Sequence, residues 1–196
     1  MAITKLWRWV PSNLQSTFLA SPTEPVQANE WKTWVRGQPQ NTTMNTIANG
    51  VIELARHPDE RRKVARDPAR WPKVIDELLR FLSPVQGLAR ATTRDVRIGD
   101  TTIPAGDQVL LLYGSANHDE TVFPNPDVLD LERSFKNHWT FGHGIHFCLG
   151  NAVARLEVRL ALEVLLSRIP DYAIEESKVV RNQLVPTRGI AQAPVV

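Results

Sequence analysis

A chain of 196 residues, 42% hydrophobic and 22% charged, is long enough to bury one core and too mixed in character for a wholly disordered or collagen-like polypeptide. Its formal charge is +2, its basic residues are interleaved with acidic ones, and no Lys/Arg run stands out, which leaves no electrostatic footprint for nucleic acid. No long apolar stretch occurs and the opening MAITKLWRWVPSN lacks a leader core, so a membrane span is excluded and a cytoplasmic protein is the expectation.

Residues 1–40 hold Trp7, Trp9, Trp31 and Trp34, are broken by Pro11, Pro22, Pro25 and Pro39, and keep neither a helical nor a strand period. They read as an irregular segment. From Asn41 the pattern becomes regular. Met44, Ile47, Ala48, Val51 and Leu54 share one helical face, and this amphipathic helix stops at Pro58. A second, short helix is expected over PDERRKVARD, with Pro58 in its first turn, Asp59 and Glu60 near its positive end, and Pro68 after it. WPKVIDELLRFL places Val74, Ile75, Leu78, Leu79 and Leu82 at helical spacing and is closed by Pro84, which predicts a well-buried helix.

Between Arg90 and Tyr113 the period changes. RDVRIGDTTIPAG reads as two short strands around Gly99-Asp100, and DQVLLLY as a buried strand. HDETVFPNPDVLDLERSF is rich in Pro, Asn and Asp and favours turns over ladders, so a long meander is expected. After the single cysteine, Cys148, the stretch LGNAVARLEVRLALEVLLSRI puts Leu149, Val153, Leu156, Leu160 and Val164 around most of a helix, which predicts a core helix. The tail from Tyr172 returns to short extended pieces.

One cysteine excludes an internal disulfide, and leaves an inert thiol, a nucleophile or a metal ligand. Its neighbours, FGHGIHFCLG over residues 141–150, argue for the last. Gly142 and Gly144 permit dihedrals and close approaches that a side chain forbids, so the loop can pack against a flat object, and Gly150 lets the following helix begin close to the same surface. A thiol at that helix's start is favoured as thiolate by the dipole's positive end. His146 offers a polar tip and Phe141 an aromatic wall, a combination suited to an amphipathic macrocycle.

The same segment resembles the cysteine-ligand loop of the cytochrome P450 superfamily in its bacterial form, Phe-Gly-x-Gly-x-His-x-Cys-Leu-Gly, with every fixed position filled. A second signature of that superfamily, Glu-x-x-Arg, stands at Glu77 and Arg80, three apart on one helical face where they can pair. The resemblance covers residues 41–196 and implies a fold that is mainly α with small β-sheets, the carboxy-terminal half of the cytochrome P450 fold, with residues 41–196 as its haem-binding region. It implies haem b on Cys148, propionates met by Arg90 and His146, a structural network of Glu77, Arg80 and Arg133, and a monooxygenase acting on a small organic substrate. Electrons are expected from a separate donor such as a ferredoxin with its reductase, and neither nucleic acid nor membrane is an expected partner.

Relatives carry Ala-Gly-x-Asp/Glu-Thr in a helix over the haem, and the stretch here is Gln38-Pro39-Gln40-Asn41-Thr42. Thr42 keeps the catalytic alcohol. Asn41 replaces the acid and cannot relay a proton by ionising, and Pro39 breaks or kinks a helix. The superfamily's amino-terminal half is not recognisable, so a truncated, non-catalytic haem-binding remnant of poor solubility is the alternative. A third reading is a zinc module formed by His138, His143, His146 and Cys148.

Overall fold

Helices that meet at a glycine carry the core. The computed structural model describes residues 42–182 and 187–196, so the irregular segment expected over residues 1–40, and the departures at Pro39 and Asn41, lie outside the described residues.

Helix α1 (Thr42–Arg56) buries Ile47, Val51, Ile52 and Leu54. It ends before Pro58, whose ring disfavours a helical backbone at His57 (φ −119°, ψ 67°). Pro58 then opens α2 (Pro58–Arg66), with Asp59 and Glu60 in its first turn and Lys63 and Arg66 in its last, charges that complement the helix dipole. Asp67 ends it and accepts a hydrogen bond from Ala69 N–H at 3.1 Å, starting a 3-10 turn at Pro68–Arg70. Helix α3 (Trp71–Leu82) buries Trp71, Val74, Ile75, Leu78, Leu79 and Leu82. It stops at Ser83, held left-handed (φ 41°) next to Pro84, with the Ser83 N–H donated back to Leu79 O at 3.0 Å.

The long helix numbered here α5 (Asn151–Arg168) packs on both α1 and α3. Gly50 of α1 faces the other two helices, and a Cβ there would lie in ordinary van der Waals contact, 3.4 Å from Leu162 Cδ1 and 3.9 Å from Leu78 Cδ1. The expectation that α5 is a core helix around most of its circumference is corrected. Only Val158, Leu162, Leu165 and Leu166 are buried, and Val153 and Leu156 are 44% and 45% exposed. The first two turns of α5 extend past the core that the described residues build, and Val153 and Leu156 there are left uncovered by it.

The expected strands around Gly99-Asp100 form a hairpin of β2 (Val96–Ile98) and β3 (Thr101–Ile103), with Gly99 at φ 58° in the turn. This hairpin is inserted between β1 (Leu88–Ala91) and β4 (Gln108–Leu111), which pair antiparallel with Leu88 opposite Leu111 and Arg90 opposite Val109. The burial expected for DQVLLLY is not observed. Leu110 is 59% and Leu112 55% exposed, because β4 belongs to a two-stranded sheet without a covering layer among the described residues. A short helix, α4 (Tyr113–Ala116), leads into the meander.

The tail returns across α1. Tyr172 donates its hydroxyl to Val51 O at 2.8 Å, Ala173 and Val196 exchange two backbone bonds, and β5 (Val180–Asn182) pairs antiparallel with β6 (Gly189–Gln192). The fold is mainly α with small two-stranded sheets. Among the described residues no helix is long and apolar enough to cross a membrane.

Candidate functional site

Glu77 and Arg80 project from one face of α3 and are both fully buried. An isolated buried ion would be prohibitive, and here each charged atom has a partner. Arg80 makes a two-pronged contact with the carboxylate, Nε at 2.7 Å and Nη2 at 2.8 Å, the strongest form of such a pair. Arg133 Nε reaches Glu77 Oε1 at 3.1 Å and Asp130 N–H reaches the same oxygen at 3.2 Å. The second cation is offset by main-chain carbonyls, since Arg133 donates to Asn125 O and Val128 O at 3.0 and 2.9 Å, and Arg80 to Asn117 O and Pro126 O at 2.7 and 3.0 Å. The structure therefore brings Glu77, Arg80 and Arg133 together, and the meander is wound around them.

Asn117 couples this clamp to the cysteine loop. Its buried side chain donates to Ser83 Oγ at 2.8 Å and Thr140 Oγ1 at 3.0 Å, and accepts from Trp139 N–H at 2.6 Å. Thr140 in turn donates to Leu79 O at 2.8 Å. Sequence reasoning missed Asn117. A lone Asn in a turn-rich stretch is usually solvated, and the only available signal was its place at the head of the meander.

From Thr140 the chain enters the loop. Gly142 is buried, and its φ of 72° favours glycine, although a Cβ there would make only ordinary contacts, 3.5 Å from the Tyr113 hydroxyl and 3.6 Å from His146 O. Gly144 (φ 65°) opens a 3-10 turn through His146 and has open space at its Cβ position. Gly150 caps α5. Its φ of −82° suits any residue, and the nearest atom to a Cβ there would be Cys148 Sγ at 4.0 Å.

Cys148 is exposed, two positions before the Gly150 cap of α5, and no acidic residue occupies that helix's first turn. Its N–H is donated to Phe141 O at 2.9 Å, and its carbonyl accepts from the Asn151 side chain at 2.8 Å. The backbone is pinned while the side chains around it are free: Ile145 is 97%, Phe147 47% and Leu149 100% exposed.

Among the described residues no hydrogen bond joins Arg90 or Thr42 to this loop. Arg90, half-buried on β1, donates to Ala89 O at 2.8 Å. Thr42 opens α1, and its carbonyl accepts from Thr46 Oγ1 at 2.7 Å. The zinc reading is overturned. His138 is buried against Asp76, His143 stacks edge-on to Trp139, and no three His, Cys, Asp or Glu side chains among the described residues are gathered to hold a metal.

Comparison with known proteins places this geometry. Residues 71–182 match the family model described as cytochrome P450. Cytochrome P450 130 of Mycobacterium tuberculosis (strain H37Rv) is 54% identical over 142 residues, covering 71% of this chain and 35% of that protein. Vitamin D(3) 25-hydroxylase of Pseudonocardia autotrophica is 43% identical over 157 residues, covering 79% of this chain and 39% of that protein. Among solved structures, P450BioI in complex with a hexadec-9Z-enoic acid ligated acyl carrier protein superposes with a TM-score of 0.76 at 40% identity, over 79% of this chain and 40% of that one. The chain thus spans 35% to 40% of the length of these relatives.

Proposed function

Because the chain belongs to the cytochrome P450 family, we propose that it supplies the haem-gripping part of a monooxygenase that inserts one oxygen atom from O2 into a small organic substrate. The observation that carries this reading is a single exposed thiol, Cys148, whose backbone is fixed at both N–H and C=O on a loop of exposed apolar side chains.

The residues present fit a haem. Cys148 is a soft anionic donor once deprotonated, and the Cβ position of Gly144 in the same loop faces open space. Ile145, Phe147 and Leu149 offer apolar contact. In this assignment Cys148 would ligate the iron of haem b, His146 and Arg90 would meet the propionates, Phe141 would supply an aromatic wall, and Gly142, Gly144 and Gly150 would shape the loop. A thiolate-ligated haem supplies O–O bond cleavage, helped by electron density from the sulfur.

The protein's own contribution is orientation and charge. Glu77, Arg80 and Arg133 hold the meander, and through Asn117 and Thr140 they fix where the cysteine loop begins. His146 and Arg90 would hydrogen-bond the propionate carboxylates, and Thr42 offers a hydroxyl that holds a proton at Oγ1. Electrons come from a separate donor of the ferredoxin type.

The test is haem titration of the purified chain, followed by reduction under carbon monoxide, beside Cys148→Ala. A strongly red-shifted Soret band present in the wild type and lost in the variant supports thiolate ligation. Equal spectra in the two proteins would remove Cys148 as ligand. A red-shifted band without substrate oxidation, when reductant and substrate are supplied, would support the haem-binding but non-catalytic alternative.

A further inference from the structure

The two residues that fix the Cys148 backbone share a partner. Arg155 lies one turn along α5 from Asn151. Its Nη1 donates to Asn151 Oδ1 at 2.9 Å, and Asn151 Nδ2 donates to Cys148 O at 2.8 Å. The same guanidinium lies 4.6 Å from the centre of the Phe141 ring, and Phe141 O accepts the Cys148 N–H at 2.9 Å. A second donor, Nε, is given to Asp76 Oδ1 on α3 at 2.7 Å. A planar fork with two donating edges and a stacking face makes all these contacts at once, which a compact ammonium cannot do.

Asp76 is held from its other side. His138 is buried, and its Nδ1 accepts the Thr140 N–H at 3.3 Å, which leaves the ring proton on Nε2, 3.4 Å from Asp76 Oδ1. The 3.5 Å approach of Arg155 Nη2 to His138 Nε2 is then a contact between two donors. Burial raises the Asp76 carboxyl. The hydrogen bonds from His138 and Arg155, with the Arg155 charge, outweigh it and hold the group below the ordinary carboxylate range.

We propose that Arg155, anchored on Asp76, is the positioning residue for Cys148: by gripping both Phe141 and Asn151 it sets the direction in which Sγ leaves the loop. The purpose of this device rests on the haem-thiolate reading, but the device itself is a property of the haem-free chain. The loop's own side chains do not replace it, since Ile145, His146, Phe147 and Leu149 are all exposed. Neither Asp76 nor Arg155 belongs to the Glu77 clamp, so the loop is tied to α3 twice, once at Thr140 and once through this ion pair.

The experiment is residue-resolved hydrogen exchange on the whole haem-free chain, comparing wild type with Arg155→Lys, Asp76→Asn and the double variant. Arg155→Lys keeps the charge and loses the fork. It is expected to speed exchange of the Cys148 amide about tenfold while the Leu54 and Leu162 amides keep their wild-type rates. Asp76→Asn acts in the same direction, and the double variant is no faster than Arg155→Lys alone, as expected for two residues acting through one route. Unchanged exchange at Cys148, a parallel rise at Leu54 and Leu162, or fully additive effects would each overturn the proposal.

With haem supplied, Arg155→Lys is expected to take up as much haem as the wild type but to lose part of the red-shifted carbon monoxide band. Identical bands would count against the positioning role. Failure of the wild type itself to bind haem would count against the haem-thiolate reading alone, because exchange is measured without it.

Discussion

The Glu77 clamp and the cysteine loop adjoin one another through Asn117 and Thr140, and they are built in opposite ways. In the clamp the charged side chains of Glu77 and Arg80 are 0% exposed and every carboxylate and guanidinium contact is satisfied within the chain. In the loop the backbone is satisfied, whereas Ile145 and Leu149 are 97% and 100% exposed. The contrast shows which part of the architecture is complete in these residues. A desolvated ion network survives only if closed, because an unpaired buried charge costs several kcal/mol. Exposed apolar side chains cost far less, so an uncovered apolar surface can persist.

The largest effect is expected where the contrast is sharpest. Glu77→Leu leaves Arg80 buried without its carboxylate and should cost about 3–5 kcal/mol, read as a fall in denaturant midpoint. A loss below about 1 kcal/mol would mean that Arg80 reaches water and the clamp is not closed. Next, Leu162→Ala removes a side chain at the meeting point of α1, α3 and α5 and should cost about 2–5 kcal/mol, whereas Leu149→Ala should stay within about 0.5 kcal/mol. Comparable costs at the two sites would erase the distinction between core and open face.

A smaller effect is expected at the tail's anchor. Tyr172→Phe removes the hydroxyl bond to Val51 O and should cost about 1 kcal/mol. The Tyr172 phenol is pushed up to about 12, first by burial and against the opposing influence of Arg61. Its folded value lies above the unfolded one, so its contribution is complete below about pH 10 and is lost as pH rises towards about 12. The variant should therefore flatten the alkaline limb of a stability profile, and an unchanged limb would place the hydroxyl in water.

The smallest expected effect lies on α5, where Glu157 meets Thr43 of α1. Burial raises the Glu157 carboxyl, opposed by a hydrogen bond with Thr43. A raised carboxyl favours folding while it is protonated and loses that contribution as pH rises through the ordinary carboxylate range. Glu157→Gln should thus give a slight gain in stability at neutral pH that vanishes in acid. A loss at neutral pH would mean that the ionised carboxylate has a partner it needs.

The helices over residues 42–82 were legible because apolar spacing, Pro58, Pro68 and Pro84 act locally, and the β2–β3 hairpin was legible from Gly99-Asp100. The burial of β4 and of the first turns of α5 was not. An apolar run states what could be buried, and whether a covering layer is present depends on residues distant in the chain. At the candidate site, Cys148 and its glycines stood out by spacing, and Glu77, Arg80 and Arg133 by resemblance. Asn117, Asp76, Asn151 and Arg155 did not stand out, because a polar residue on a helix or in a turn looks the same whether it faces water or a partner far along the chain.

Local chemistry therefore determined by itself where this chain turns, where it coils into helices and which thiol is available, since dihedral preference and apolar period act over a few residues. Tertiary structure alone decided which charges are buried together, which apolar faces remain open, and that one arginine grips both neighbours of Cys148. Those outcomes depend on distances between α3, the meander and α5, and no local rule contains them.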